Sequence, residues 1–204
     1  MTYDMILAGV GGQGVLSLAA IVARAAMIDG LFVRQSEVHG MAQRGGAVLA
    51  HLRISDAQIA GDLVPSGGAD MVLAMEPLES LRYLSYLKPD GIVVSASEPF
   101  VNIPDYPELG SVLGAIRALP RSLLVDSAGI ARQAGSPRAV NMALAGAASS
   151  LLPIKLESLE LCIEELFGRK DPQAAQANRR ALVLAREAAA AEGGERRPSK
   201  GGAA

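Results

Sequence analysis

The sequence is poor in the residues that mark chemistry most directly. Cysteine occurs once in 204 residues, as Cys162. A single thiol excludes an internal disulfide and cannot ligate an iron–sulfur cluster, which takes about four thiolates. Cys162 stands at helical spacing from Leu159, Ile163 and Leu166 and reads as a small buried hydrophobe without chemistry. The only histidines are His39 and His51, with no cysteine near either, so no metal-ligand cluster is expected. Tryptophan is absent and there are three Phe and four Tyr, which leaves no stacking platform for single-stranded nucleic acid. An excess of one charge is also missing: 19 basic against 21 acidic residues give −2. No global field therefore draws the chain to nucleic acid or an anionic membrane, although a local basic pocket stays open. Long apolar runs are lacking too. The amino-terminal run has no basic region before it and is broken by glycines, and Ala139 to Leu152 carries Asn141 and two serines and falls short of the roughly 20 residues of a span. A cytoplasmic protein without a membrane partner is the expectation. Ser-His-Asp order, H-E-x-x-H and the Walker loop are likewise absent, which excludes the usual hydrolase, zinc-protease and P-loop chemistries.

What is present is a chain half hydrophobic, rich in alanine and glycine, and long enough for one large core. Strands are expected at Tyr3–Ala8, Leu31–Gln35, Ala47–Ile54, Met71–Ala74, Ile92–Ser95 and Leu123–Asp126. Helices are expected at Val15–Ala26, from Glu76-Pro77 through Leu87, at Leu109–Leu119, from a Ser127 cap to Gln133, at Ala139–Leu152, Leu156–Phe167 and Pro172–Glu192. Lys88-Pro89-Asp90-Gly91 reads as a turn, and Asp56 to Asp70 and Glu98 to Pro107 as irregular connections. The alternation of strand and helix predicts a three-layer, Rossmann-like α/β domain over residues 1–192, with a mainly parallel sheet and helices on both faces. Gly193 to Ala204 has no apolar anchor and is expected to be a disordered tail. His51 and Arg53 share the wetter face of their strand, and Asp126, at a strand's carboxyl end, either points into a cleft or caps the following helix.

Two stretches concentrate the candidate chemistry. Gly9-Val10-Gly11-Gly12-Gln13-Gly14 satisfies G-x-G-x-x-G between a strand and a helix, where unpaired N–H groups attract an anion. Glu37 follows near the place of the acid that holds a ribose in dinucleotide folds, so an independent NAD(P)- or flavin-binding dehydrogenase is one reading. The second stretch is Ser36-Glu37-Val38-His39-Gly40-Met41-Ala42-Gln43-Arg44-Gly45-Gly46. Here His39 is either an acid–base group oriented by Glu37 or a hydrogen-bonded anchor, and Arg44 offers a rigid fork for phosphate or carboxylate. The glycines and Met41 suit a surface that docks another chain or a bulky ligand.

These two stretches, together with Glu76-Pro77-Leu78-Glu79 and Leu84-Ser85-Tyr86-Leu87-Lys88-Pro89-Asp90-Gly91, resemble the gamma-type domain of 2-oxoacid:ferredoxin oxidoreductases, out to about Asn178. The likeness is nearest to the family's arylpyruvate-oxidising branch. It implies a non-cofactor-bearing subunit, inactive when isolated, of an enzyme of the EC 1.2.7 type that converts a 2-oxoacid to its acyl-coenzyme A and reduces ferredoxin. Thiamine diphosphate, magnesium and the 4Fe-4S clusters would reside on a larger alpha subunit, and the isolated chain could pair with itself as a homodimer. The resemblance implies that Ser36 to Gly46 closes over the partner's cleft, or that Gly9, Gly11, Gly12, Gln13 and Gly14 accept the anionic part of coenzyme A with Arg44 assisting.

Overall fold

The computed structural model describes residues 1–39, 45–168 and 171–195. Its centre is strand β1 (Thr2–Val10), where Met5 and Leu7 point to one side and Ile6 to the other, all three fully buried. Period-two alternation of apolar side chains with no polar break requires cover on both faces. Helix α1 (Val15–Ile28) follows on the first face, then β2 (Phe32–His39) and β3 (Ala47–Ser55). The remaining strands are β4 (Ala69–Ala74), β5 (Leu87–Ala96) and β6 (Ser122–Val125), in the sheet order β2-β3-β1-β4-β5-β6. Pairing is parallel from β1 through β6 and antiparallel at β3, which runs against its neighbours on either side.

Helices cover both faces unequally. On one side α1, α4 (Ser127–Ala134), α5 (Val140–Ala148), α6 (Leu156–Ile163) and α7 (Pro172–Glu195) enclose the larger core with Met5, Leu7, Leu73 and Val94. On the other, α2 (Pro77–Arg82) and α3 (Leu109–Arg117) close a smaller core around Ile6, Val72, Val93 and Ile116. The expected α/β class, three layers and mainly parallel sheet are all present.

Several local expectations are corrected. The helix opened by Pro77 ends at Arg82, followed by a 3-10 turn at Leu84–Tyr86, because the chain must re-enter the sheet at Leu87. Lys88 to Gly91 lies inside β5, where the register slips between Ala69 and Met71 and Lys88 Nζ meets Asp70 at 2.6 Å. Pro89 thus sits in an irregularity, as proline in a sheet must. Helix α5 stops at Ala148 rather than Leu152, and Leu156 to Phe167 divides into α6 and a π-helical turn at Glu164–Gly168. Helix α7 continues to Glu195, past the expected boundary at Gly193.

The expected wet face of β3 is dry. Arg53 forks onto Asp4, its cross-strand partner, with Nε–Oδ1 at 2.9 Å and Nη2–Oδ2 at 3.1 Å, and also donates to the Gly61 carbonyl at 3.1 Å. His51 is 4% exposed and its Nδ1 accepts the Val64 N–H at 3.1 Å. The connection that brings Val64 over the sheet covers this face. Burial holds the His51 pKa below its ordinary 6.5. The unfolded chain therefore binds the proton first, so the stability carried by His51 is whole above about pH 6.5 and declines below it. Urea midpoints at pH 7.5 and 5.5 should differ less in His51→Asn than in the native chain, since the amide oxygen can accept from Val64 without titrating.

Candidate functional site

The two motifs singled out from the sequence meet through backbone hydrogen bonds. Gly11 N–H donates to the Gly46 carbonyl at 2.7 Å, and Gly45 N–H donates to the Gly11 carbonyl at 3.2 Å. This extends the β1–β3 ladder one step past the Val10–Ala47 pair. The Gly11 amide is therefore already engaged, contrary to its expected role as an anion donor. Gln13 is engaged at both ends as well: its Oε1 accepts the Val10 N–H at 2.8 Å and its Nε2 donates to the Met75 carbonyl at 3.1 Å. It pins the turn across the ends of β1 and β4. Gly9 lies within β1 and is buried.

Gly12 faces open space, and it and Gly14 line a cavity of about 440 Å³ beside the carboxyl ends of the parallel strands. Gly14 is the N-cap of α1, with φ at 88 and no side-chain cap. Asn141 Nδ2 donates to its carbonyl at 3.1 Å, and a Cβ at this position would lie 2.5 Å from that nitrogen. Left-handed backbone and close approach together require glycine here. The first turn of α1 consequently presents N–H groups that no side chain covers.

Two more helices begin on the same cavity. Helix α5 starts after Ala139, also without a side-chain cap, and Arg138 precedes it as an exposed guanidinium with no ion pair among the described residues. Helix α4 is capped by Asp126, whose Oδ1 accepts the Gly129 N–H at 2.7 Å. Ser127, expected as the cap, is instead the first helical residue and donates its hydroxyl to Glu98 Oε2 at 3.1 Å, while Glu98 Oε1 accepts the Ala128 N–H at 3.0 Å. Burial and a bond to Asp126 raise the Glu98 pKa, and that same bond and the Gly129 amide lower Asp126. Arg138, Asn141 and two helix starts make the far wall attractive to an anion, whereas Glu98 marks the near wall.

The wall residues Arg138, Asn141 and Glu98 were missed from sequence. Asn141 and Gly14 are 127 positions apart, and no local pattern announces the contact. The rim is extended by Asn102, whose Nδ2 donates to the Gly45 carbonyl at 2.8 Å.

The eleven-residue stretch is in part strand. Ser36, Glu37, Val38 and His39 belong to β2, where Glu37 pairs with Ala50 and His39 with Val48. Strand β3 lies between β2 and β1, so Glu37 sits two strand spacings, about 10 Å, from β1. A dinucleotide fold needs its acid on the strand beside β1, and this arrangement removes it. Ser36 and Glu37 do not line the cavity. Gly40, Met41, Gln43, Arg44 and the His39 side chain fall outside the described residues.

A family model described as pyruvate ferredoxin/flavodoxin oxidoreductase matches residues 4–188. The chain is 38% identical over 179 residues to indolepyruvate oxidoreductase subunit IorB of Archaeoglobus fulgidus, covering 83% of this chain and 88% of that one. Among solved structures, the gamma subunit of a keto/oxoacid ferredoxin oxidoreductase from Geobacter sulfurreducens PCA superposes with a TM-score of 0.68 at 24% identity, covering 93% of this chain and 99% of that one. A 2-oxoglutarate:ferredoxin oxidoreductase from Magnetococcus marinus, solved with 2-oxoglutarate, coenzyme A and succinyl-CoA bound, gives 0.73 at 21% identity, covering 93% of this chain and 31% of that one. These likenesses lend no support to an independent NAD(P)- or flavin-binding dehydrogenase, the reading that the displaced Glu37 had already weakened. Sequence identity over most of the chain and the shared fold agree, and the chain belongs to the pyruvate ferredoxin/flavodoxin oxidoreductase family, whose members oxidise 2-oxoacids.

Proposed function

We propose that this chain is the cofactor-free subunit of an enzyme that oxidatively decarboxylates an arylpyruvate of the indolepyruvate kind to its acyl-coenzyme A, with ferredoxin as acceptor. The carrying observation is the 38% identity to an indolepyruvate oxidoreductase subunit. Residues 1–192 act as one domain, and a larger alpha subunit holds thiamine diphosphate, magnesium and the 4Fe-4S clusters. The chain itself does not fit such groups: it has one cysteine, buried, and no set of three or more His, Cys, Asp or Glu among the described residues is placed to hold a metal ion. Thiamine diphosphate on the partner would supply the carbanion chemistry.

The part left to this subunit is to hold the acyl acceptor. Arg138 provides a fork for phosphate, the first turns of α1 and α5 provide N–H donors, and Asn141, anchored on Gly14, fixes the distance between them. The segment Ser36 to Gly46, tied to the glycine turn at Gly11, covers the partner's cleft.

Co-expression with the large subunit and an assay of indolepyruvate-dependent dye reduction tests the reading. Activity is expected only when both chains are present, and full turnover by the large subunit alone would refute the assignment. In the complete enzyme, Arg138→Ala should raise KM for coenzyme A about 10- to 100-fold with kcat little changed, as loss of a charged phosphate contact requires. An unchanged KM would move the acceptor elsewhere.

A further inference from the structure

A second cavity, of about 480 Å³, opens between α1, α5, the π-helical turn and the start of α7. It borders the cavity beside the glycine turn at Arg138 and Asn141, which line both. Asn178, on α7, lines it with only 8% of its surface exposed. The Asn178 Nδ2 donates to the Ala174 carbonyl one turn back at 2.8 Å, while no described residue donates to its Oδ1. Among the described residues no fully enclosed side-chain nitrogen or oxygen lacks a partner, so the little of Asn178 that is exposed includes this oxygen. Asn141 is held in the same way: its Nδ2 is on the Gly14 carbonyl at 3.1 Å, and its Oδ1 receives no donor from the described residues. The bond to a backbone carbonyl fixes the nitrogen as the engaged end of each amide and leaves the oxygen as the free one. Buried amide oxygens rarely go without a donor, so the cavity is built to meet an N–H or O–H from outside the chain.

The rest of the lining narrows the kind of donor. Ile21, Met142 and Ala177, from three different helices, form a buried apolar floor, and Phe167 adds a half-buried ring from the π-helical turn. Arg138 and Asp171 bring opposite charges to the lining, so neither a cation nor an anion is favoured by its net charge. An apolar body with a few placed acceptors, in a space of this size, is the form of a small-molecule pocket. We propose that this cavity binds an aminopurine nucleoside, its flat base on the apolar floor, its exocyclic amine donating to Asn178 Oδ1 and its ribose hydroxyls to Asn141 Oδ1 at the border with the neighbouring cavity. The inference does not rest on the acyl-acceptor reading of that neighbour.

Adenosine is the probe, titrated into the full chain while the side-chain amide resonances of Asn178 are followed. Saturable binding with Kd below about 1 mM is expected. Purine riboside, the same nucleoside without the exocyclic amine, should bind about tenfold more weakly, the loss that follows when a buried acceptor is left without its donor. Asn178→Leu should weaken adenosine by a similar factor and bind the two nucleosides alike. Ser17→Phe guards against a misfolded Asn178 variant: it fills the cavity from an exposed position on α1, and should abolish binding with the melting temperature unchanged. Absence of saturable adenosine binding, equal affinity of the native chain for the two nucleosides, or native affinity in Ser17→Phe each overturns the pocket assignment and leaves the subunit assignment standing.

Discussion

Replacing Gly146 with alanine is expected to lower the melting temperature by about 10 °C. Helix α5 is built from small residues, with Met142 through Ala148 all buried, so that it can lie directly on α7. At Gly146 the approach is closest: a Cβ would stand 2.1 Å from the Leu182 carbonyl oxygen and 2.8 Å from its carbon. The obstacle is backbone, so no change of rotamer relieves it, and the two helices must separate by about 0.9 Å to reach even the 3.0 Å limit of real contacts. Leu144, Ala181, Leu182 and Ala185 lie in the same core and would lose contact together. Overpacking of this kind costs typically 1–3 kcal/mol and more when backbone must move, here about 3–4 kcal/mol. A calorimetric scan decides the matter, with Gly114→Ala as the control. Nothing lies within 4 Å of a Cβ at Gly114, in the middle of α3, and alanine there should stabilise by about 0.5–1 kcal/mol through helix propensity. Equal melting shifts in the two variants would show that α5 and α7 are not packed as described.

Glu76→Ala should follow closely, at about 3 kcal/mol. The side chain is 1% exposed and caps α2 by accepting the Glu79 N–H at 2.8 Å. It also accepts the Tyr106 hydroxyl and, at 3.4 Å, the Phe100 N–H. Truncation removes a cap, worth about 1 kcal/mol, and leaves buried donors without a partner at about 1–3 kcal/mol each. Relief of its repulsion with the neighbouring Glu79 carboxyl offsets part of this. Because Glu76 holds both ends of the 100–106 connection, the variant should also be cut faster than the native chain by protease between Pro99 and Pro107. Glu76→Gln, which retains an acceptor, should lose far less. Comparable losses in both would mean that the charge, rather than the cap and its partners, sets the stability.

The sheet was legible because β1, β4 and β5 are written as short apolar runs and each is buried on both faces. Motif spacing likewise located the glycine turn, and the family likeness pointed to the hairpin. What could not be read was anything decided by sequence-distant neighbours. His51 and Arg53 look like surface residues on a local alternation, yet a covering connection buries His51 and Asp4, 49 positions from Arg53, holds that guanidinium half-buried. Asp29 looks like a helix-terminal turn residue, but its carboxylate accepts from Lys155 N–H and the Ser158 hydroxyl, both at 2.7 Å, and so supplies the cap that Lys155 cannot give to α6. Glu37 appeared placed for a ribose because sequence order suggested that β2 adjoins β1, whereas β3 folds back between them. The cavity wall followed the same pattern: Arg138 and Glu98 come from segments whose local patterns mark only connections.

The paired backbone bonds of Gly11 with Gly45 and Gly46 carry one more implication. They rivet the root of the β2–β3 hairpin to the floor of the cavity beside α1, with no side chain in between to absorb a displacement. A neighbouring subunit that leaned on the hairpin would therefore tilt that floor as a lever tilts its fulcrum plate, so assembly and acceptor affinity should be felt at one another's site.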